Sequence, residues 1–482
     1  MITKLNSLDK IAHRKVELLK LLASQSKPSS TTVLSRQLAV SSKTLLTYLK
    51  ELTHYLEASE EDIQLIKSKD GYYLSKKSSF SMDTLYHRIT KDTLFYYLFL
   101  YTFHQQDDTI DSYAKVNFFS YSYIYRQIRL MNQLLRPLFL SIELSPLKMN
   151  GAELRIRYFF FYYYFYNCNG VDWPFQTIQA ADLDNDLHMI EELTAIQFSF
   201  IQKEQLRYWL ALCQTRYQLN EFIDSTNPFY QLVAQNSPFY QKLLPFMNHF
   251  SQKNNLINQQ NELYFIFFII HQTLEFPIED LLSLTEEPLI KKVVHLIEDI
   301  ASAFPKAKLT TFFKNELFYL VYVSFYLGDS YLELLENNNQ QESANDFYTK
   351  KIENLLAQNK IDSSRLPCLT KTVTQLIQRH LINSCYQPSI HLFLITKLDG
   401  LKKQALYDKI ATLPFQLTVT DQTQILEEEN IDLILSDYYL PSSSKPVFYW
   451  HLFPLKVEWE QLERCLNDIE QQKSLFLNSE TV

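Results

Sequence analysis

Glycine is scarce in this sequence, and its scarcity limits the folds that the chain can adopt. Only 5 of the 482 residues are glycine, whereas 32 are tyrosine and 34 are phenylalanine. Glycine supplies the left-handed turns of hairpin-rich sheets and the close backbone approach of phosphate-binding loops. The composition therefore argues against large all-β architectures and glycine-rich nucleotide sites. It predicts a mainly α, multidomain protein, because one core seldom supports so long a chain.

Paired cysteines and long apolar runs are also missing. The five cysteines are scattered without a CxxC pair, which is typical of reduced thiols in the cytoplasm. The longest aromatic run, residues 158–166, would span only about 14 Å as a helix, far less than a bilayer core. The first 15 residues contain no apolar segment typical of a signal peptide. We therefore expect a cytoplasmic protein without a membrane partner.

Motifs for catalysis and for metal or cofactor binding are absent from the sequence. It has no HExxH or HxxxH pair, no Cys/His cluster, no GxSxG elbow and no Walker-type loop. We therefore expect no catalytic residue, no metal and no cofactor, and a protein that is not an enzyme.

Charge is distributed unevenly along the chain. The net charge is −8, yet residues 1–170 contain 22 Lys and Arg against 15 Asp and Glu. The remaining 312 residues contain 24 against 39. A basic N-terminal part followed by an acidic remainder is typical of a DNA-binding head joined to a regulatory region.

A helix-turn-helix pattern lies in this basic N-terminal part. A helical apolar stripe at Leu8–Ala23 is followed by a short helix ending near Ala39. Ser41 or Ser42 then caps a longer helix. An Asp70-Gly71 hairpin turn follows, so the segment is predicted to be a winged helix-turn-helix. The leucines expected on one face of the longer helix are Leu45, Leu46, Leu49, Leu52 and Leu56.

The same pattern recurs 79 residues later. Ser41 falls on Ser120, and the core leucines fall on apolar residues. With one insertion, Asp70-Gly71 meets Asn150-Gly151, which predicts equivalent wing turns. We therefore predict two winged helix-turn-helix domains, at residues 1–78 and 79–169.

The second helix of such a unit enters the major groove of DNA, where residues near its N-terminus contact base edges and phosphates. Wing lysines, Lys67 and Lys148 among them, are expected near the backbone of the DNA. An alternative is that these polar faces are solvated surfaces used for protein contacts. The predicted DNA-binding residues are Ser42, Lys43, Thr47, Lys50, Lys69, Ser122, Tyr123, Arg126, Gln127 and Arg129.

The rest of the chain divides into helical and α/β parts. Residues 170–283 and 284–387 each contain a succession of helical apolar patterns, which predicts two helical bundles. Residues 388–482 alternate short apolar strands with helices, which predicts a small α/β domain with a largely parallel sheet. Ligands of such sheets bind beyond the strand C-termini, here at TKLDGL (396–401).

This order of domains resembles the Mga-like virulence and global transcription regulators of Gram-positive bacteria. The resemblance implies that the bundles are similar to PTS regulation domains and that the last domain is similar to an EIIB component of the sugar phosphotransferase system. It also implies a transcription activator that binds double-stranded promoter DNA. Implied partners are a second copy of the chain, in a homodimer or higher oligomer formed through the C-terminal domain, and phospho-HPr or other PTS proteins.

The chain departs from the family pattern at the phosphorylation sites. Where PTS regulation domains carry a phosphorylatable histidine, this sequence has Cys213 and Ser324. The position of the EIIB cysteine reads Thr396-Lys397-Leu398-Asp399, so the nucleophile is missing and a dimerisation or sensing module remains. Phosphorylation sites, if retained, would be His188, His271 or His295, although a lone histidine on an apolar helix is more often a core residue.

Two alternatives to a DNA-binding regulator remain open. A phosphotransferase component would need the missing cysteine. An RNA-binding antiterminator also carries PTS regulation domains, but its head is β-rich rather than helical.

Overall fold

The structure is a computed structural model of the full chain. The part of the chain that it describes comprises residues 8–25, 27–57, 62–104, 109–224, 228–282, 287–303, 309–335, 346–359, 361, 366–380, 390–413, 415, 417–421, 431–441 and 443–479. Its architecture is mainly helical, with two small hairpins near the N-terminus and one parallel sheet near the C-terminus. The predicted fold class is confirmed at this level.

The first winged helix is a four-helix unit with a hairpin. Its elements are α1 (Lys10–Ala23), α2 (Thr31–Gln37), α3 (Ser42–Glu57), β1 (Ile63–Ser68), β2 (Gly71–Lys76) and α4 (Met82–Lys91). They enclose a separate apolar core, to which α4 contributes Met82, Leu85 and Ile89. This helix lies beyond the expected boundary at residue 78, so the first core extends further along the chain than the hairpin.

The second winged helix repeats this arrangement with a smaller wing. Its elements are α5 (Leu94–His104), α6 (Ile110–Val116), α7 (Tyr121–Leu135), β3 (Ser141–Ile142) and β4 (Met149–Asn150). The β3–β4 pair has only two residues per strand, and Ser141 pairs with Asn150. Gly151 therefore lies at the foot of the wing, and the prediction that it occupies a wing turn equivalent to Gly71 is wrong. A longer loop, residues 143–148, closes the second hairpin instead.

The helix α8 (Glu153–Cys168) joins the second winged helix to the helical body. Its aromatic run is buried, and it belongs to the same large core as the body. Arg157 of α8 is fully buried and donates to both carboxylate oxygens of Glu262, at 2.6 and 3.0 Å. A buried ion pair with two hydrogen bonds fixes α8 in one position, because separating the charges would leave one unpaired in the core.

The helical body follows α8. Its helices are α9 (Asp184–Thr194), α10 (Phe200–Gln218), α11 (Phe229–Asn236), α12 (Pro238–Lys253), α13 (Gln260–Thr273), α14 (Glu279–Leu282), α15 (Pro288–Ala303), α16 (Thr311–Tyr322), α17 (Leu332–Leu335), α18 (Asp346–Gln358) and α19 (Pro367–His380). A π-helical segment, Val323–Leu327, continues α16. The expected boundaries at 283/284 and 387/388 lie outside the described residues.

A four-stranded parallel sheet ends the chain. It comprises β5 (Ile390–Ile395), β6 (Leu417–Thr420), β7 (Leu433–Ser436) and β8 (Val447–Tyr449), flanked by α20 (Gly400–Ala411) and α21 (Lys456–Ser479). The strand order is β6-β5-β7-β8, and all three pairings are parallel. The predicted parallel sheet is confirmed.

Candidate nucleic-acid interface

The helix-turn-helix of the first copy is fixed by two capping side chains and one left-handed residue. Ser30 accepts a hydrogen bond from the Val33 amide and caps α2. Ala39 has a φ of 53°, which turns the chain between α2 and α3. The hydroxyl of Ser41 then accepts from the Thr44 amide at 3.1 Å, so Ser41 rather than Ser42 is the cap.

The second copy reproduces each of these features 79 residues later. Thr109 accepts a hydrogen bond from the Ser112 amide, and Ser120 accepts one from the Tyr123 amide at 3.2 Å. Phe118, at the position of Ala39, has a φ of 58°. The helix starts at residues 110 and 121 likewise lie 79 residues after those of α2 and α3. The two units therefore share one backbone design down to the left-handed residue.

The core and surface faces of the two long helices also correspond. In α3 the buried residues include Leu45 and Leu49, and in α7 they are matched by Ile124 and Ile128. Leu46 was expected on the apolar face but is 48% exposed, because its side chain lies about 100° around the helix from Leu45.

Most of the predicted DNA-binding residues are exposed on the outer faces of these helices. In α3, Ser42, Lys43, Thr47 and Lys50 are exposed, and in α7, Ser122, Tyr123, Arg126 and Arg129 are exposed, while Gln127 is partly buried. Lys69 is exposed at the tip of the first wing, between β1 and β2. Each helix thus presents two cations on its outer face.

The second copy adds an aromatic surface that the sequence interpretation largely missed. Phe118 is 95% exposed at the turn, and further rings project from the start of α7. They stack in pairs, Phe119 on Tyr123 and Tyr121 on Tyr125. Arg126 lies over the Tyr123 ring, with its guanidinium carbon 5.7 Å from the ring centre. The 79-residue register contained the signal, because it aligns Phe118 with Ala39.

Exposed apolar surface of this extent is unusual, and it often marks a contact site. We define the aromatic face as Phe118, Phe119, Tyr121, Tyr123 and Tyr125. It begins at the turn and runs into the basic residues of α7, so ring surface and cations form one continuous surface. This arrangement can contact phosphates through Arg126 and Arg129 and apolar groups through the rings.

The three candidate histidines lie in different surroundings. The side chain of His188 is 69% exposed and lies 3.6 Å from Glu192. His295 is exposed on α15. His271 is buried, its Nδ1 lies 2.9 Å from the Tyr319 hydroxyl, and burial lowers its pKa to about 4. His271 is therefore neutral near pH 7 and shielded from a partner protein.

Two further features, a membrane-spanning helix and a metal-binding cluster, are absent from the described residues. Within the described residues, no helix is both long and apolar enough to cross a bilayer. Over the same part of the chain, no group of three or more His, Cys, Asp or Glu side chains is arranged to hold a metal ion.

Comparison with known proteins gives three matches. Residues 78–164 match the family described as the Mga helix-turn-helix domain. Over 218 residues, 45% of this chain, the sequence is 21% identical to a predicted trans-acting regulator of Streptococcus pneumoniae serotype 4. Over 237 residues, 49% of this chain, it is 20% identical to the capsule synthesis positive regulator AcpB of Bacillus anthracis. These matches cover 43% and 48% of the two relatives, so the chain spans about half the length of each.

The matched family segment begins just before α4 and ends within α8, so it contains the whole second winged helix and its aromatic face. Both relatives are named as regulators, and neither as an enzyme. With its doubled helix-turn-helix head and its match over residues 78–164, the chain is similar to the Mga-like regulators in this region.

Proposed function

We propose that this protein is a transcription regulator that binds double-stranded promoter DNA through both winged helices and activates transcription. The observation that carries the proposal is the pair of helix-turn-helix units with matching helix starts, caps and left-handed residues, each with an exposed basic face on its second helix. A helix of this kind fits the major groove, where its N-terminal residues reach base edges. The Mga helix-turn-helix match and the names of the two relatives support the same conclusion.

The chemistry of the two faces suggests how binding energy is divided. Lys43, Lys50, Arg126 and Arg129 neutralise phosphates and release counterions, which gives affinity with a strong dependence on salt. Few of the exposed side chains can form bidentate hydrogen bonds with a base, Arg126 and Arg129 being the main exceptions. Most contacts therefore position the protein, and sequence preference comes from a few contacts and from DNA shape.

A gel-shift comparison tests this proposal. The full chain is titrated against a promoter duplex, a shuffled duplex and a hairpin RNA of equal length at several salt concentrations. We expect duplex DNA to bind more tightly than RNA, with an affinity that falls steeply with salt. Tighter binding to the hairpin RNA would instead support the antiterminator alternative.

We further propose that the helical body and the C-terminal sheet are regulatory modules linked to carbohydrate status. The body would act like PTS regulation domains, and the parallel sheet like an EIIB domain without its nucleophile. Of the three histidines, His188 and His295 are the better phosphoryl acceptors, because both are exposed whereas His271 is buried. Incubation with phospho-HPr followed by mass spectrometry should find phosphate on His188 or His295, and its absence from both would refute this part.

Self-association through the C-terminal domain is the last element of the proposal. Removing residues 388–482 should reduce the sedimentation coefficient by more than the lost mass explains. An unchanged oligomeric state would place the self-association surface elsewhere.

A further inference from the structure

A cavity of about 200 Å³ lies between the first winged helix and the C-terminal sheet. One wall is formed by α1 and α4, and the opposite wall by the loop after β5 and the segment after β8. The C-terminal end of α8, together with Thr93, Asn169 and Leu334, contributes the remaining lining. The cavity therefore touches the DNA-binding head and the α/β domain together.

The position of the cavity relative to the sheet is that of a ligand site. Lys397 lies two residues after the end of β5, and His451 two residues after the end of β8, so both lie at the carboxyl edge of the parallel strands. Strand β5 lies between β6 on one side and β7 on the other. The order of the strands along the sheet therefore reverses direction beside the carboxyl end of β5. Open α/β sheets bind ligands at such a point.

The side chain of Lys397 points to the charge of the ligand. Lys397 is only 4% exposed, and its ammonium lies 5.6 Å from the centre of the Tyr166 ring. Among the described residues, no carboxylate lies within 4.0 Å of this ammonium, and none accepts a hydrogen bond from it. The nearby Asp437 carboxylate accepts hydrogen bonds from the Thr396 hydroxyl and the Lys397 amide. Burial raises the pKa of Asp437 to about 6, against the opposing effect of Lys397.

A second lysine lines the same cavity from the opposite wall. Lys20 of α1 lies with its ammonium 5.6 Å from the centre of the Tyr86 ring, and within the described chain it has no carboxylate inside 4.0 Å. Burial lowers the pKa of Lys20, and this effect is opposed by Asp83 and Glu17. A buried ammonium without a partner is costly, so the buried Lys397 and the partly buried Lys20, which line one cavity, favour an anion between them.

The other charged groups around the cavity already have partners. Asp83 accepts from the Asn169 amide, and Glu17 lies 2.7 Å from Arg14 and 3.4 Å from His13. His87 and His451 also have hydrogen-bond partners. His87 contacts the Asn167 carbonyl and Asp172, and His451 contacts Glu458 and the Tyr86 hydroxyl. Among the charged groups that line the cavity in the described part of the chain, Lys20 and Lys397 therefore remain without a carboxylate inside 4.0 Å.

We propose that this cavity binds a small molecule bearing a phosphate group, held between Lys20 of the first winged helix and Lys397 of the C-terminal sheet. Such an anion would join the two walls and so control the position of the first winged helix relative to the body. The site differs from the DNA-binding surface and from the candidate histidines, and its occupancy does not depend on the proposed function being correct.

Thermal unfolding of the full chain tests the site without DNA. Inorganic phosphate and glycerol 3-phosphate are added at constant ionic strength, with chloride as the reference anion. We expect saturable stabilisation by at least one of the two, and tighter binding of the ester would identify a phosphate monoester as the ligand class. Loss of one charge-assisted contact in Lys397→Met or Lys20→Met should weaken binding about 10-fold or more.

Two controls separate this site from other cationic surfaces. Lys456→Met removes an exposed lysine outside the cavity and should leave phosphate binding unchanged. Arg126→Ala/Arg129→Ala removes cations from the DNA-binding face and should also leave it unchanged. Absence of saturable stabilisation in the native chain, or equal phosphate affinity in the native chain and both lysine variants, would overturn the proposal. Lys20→Met keeps the test valid if Lys397→Met does not fold.

Discussion

The two winged helices share a backbone and differ in what they present and in how they are attached. Both have the same helix starts, the same caps and a left-handed residue at the same point of the turn. The first carries lysines beside small residues, with a long wing. The second carries arginines beside exposed rings, with a wing of two residues per strand. A scaffold fixed by caps and core therefore leaves its outer face free to diverge.

Their attachment to the rest of the molecule differs more deeply. The first winged helix has a hydrophobic core of its own. The second shares one continuous core with the helical body and is joined to it by the buried helix α8. We infer that the second winged helix unfolds with the body, whereas the first can unfold separately.

Breaking the buried ion pair of α8 should have the largest effect. Glu262→Ala removes the carboxylate that takes two hydrogen bonds from the buried Arg157 guanidinium, leaving Glu153 as its remaining carboxylate, and should lower the free energy of unfolding by about 3 kcal/mol. Urea titration measures this loss, and hydrogen exchange should show reduced protection in α7 but not in α3. The matched control is Glu51→Ala, which breaks a partly exposed pair with Lys15 and should cost no more than about 1 kcal/mol. Equal loss in the two variants would contradict the difference in attachment.

Acid should destabilise the body together with the second winged helix. Because burial lowers the pKa of His271 to about 4, the unfolded chain binds this proton more readily. The contribution of His271 to stability is complete above about pH 6.5 and is lost as pH falls toward 4, by up to roughly 3 kcal/mol. His271→Gln should flatten this part of the pH profile of chemical denaturation. His188→Gln, which changes an exposed histidine, should not, and identical profiles for all three proteins would refute the assignment.

The arginines of the second copy should matter more for DNA than the lysines of the first. Arg126→Ala/Arg129→Ala should weaken duplex binding about 100-fold and reduce the salt slope by about 2, because two phosphate contacts are lost. Lys43→Ala/Lys50→Ala should weaken it only about 10-fold, since lysine is less pre-organised than an arginine packed on a ring. Fluorescence anisotropy at several salt concentrations compares the two. A larger loss in the lysine variant would reverse the ranking of the two copies.

The smallest effect concerns the aromatic face. Phe118→Ala installs the residue that the first copy has at the same position and should leave stability nearly unchanged, because Phe118 is 95% exposed. Apolar contact with a thymine methyl group is worth about 0.8 kcal/mol, so duplex affinity should fall about 4-fold.

The contact with thymine methyl groups can be tested directly. A duplex of about 30 base pairs, roughly three helical turns, is prepared with thymine or with uracil in its place. The native protein should prefer the thymine duplex and Phe118→Ala should not. Ile257→Ala, an exposed apolar residue on the body, should behave as the native protein. Equal affinity of the native protein for both duplexes would exclude methyl contacts by the aromatic face.

Much of the local structure could be predicted because it depends on short-range patterns. The caps at Ser41 and Ser120, the core positions of α3 and α7 and the strands of the parallel sheet all follow from periodicity and turn chemistry. The wrong predictions concern single positions, which helical and strand periodicity does not resolve. Leu46 was assigned to the core face, although one residue moves a side chain a quarter-turn around the helix. Gly151 was assigned to a wing turn, although the second hairpin closes elsewhere.

The sequence by itself determined the doubled helix-turn-helix, its caps, the uneven charge and the parallel sheet, because each depends on residues close together in the chain. Only the tertiary structure decided which groups meet across long separations. Arg157 and Glu262 are 105 residues apart, and Lys20 and Lys397 line one cavity from opposite domains. Such pairings arise from the packing of whole elements, and no local pattern encodes them.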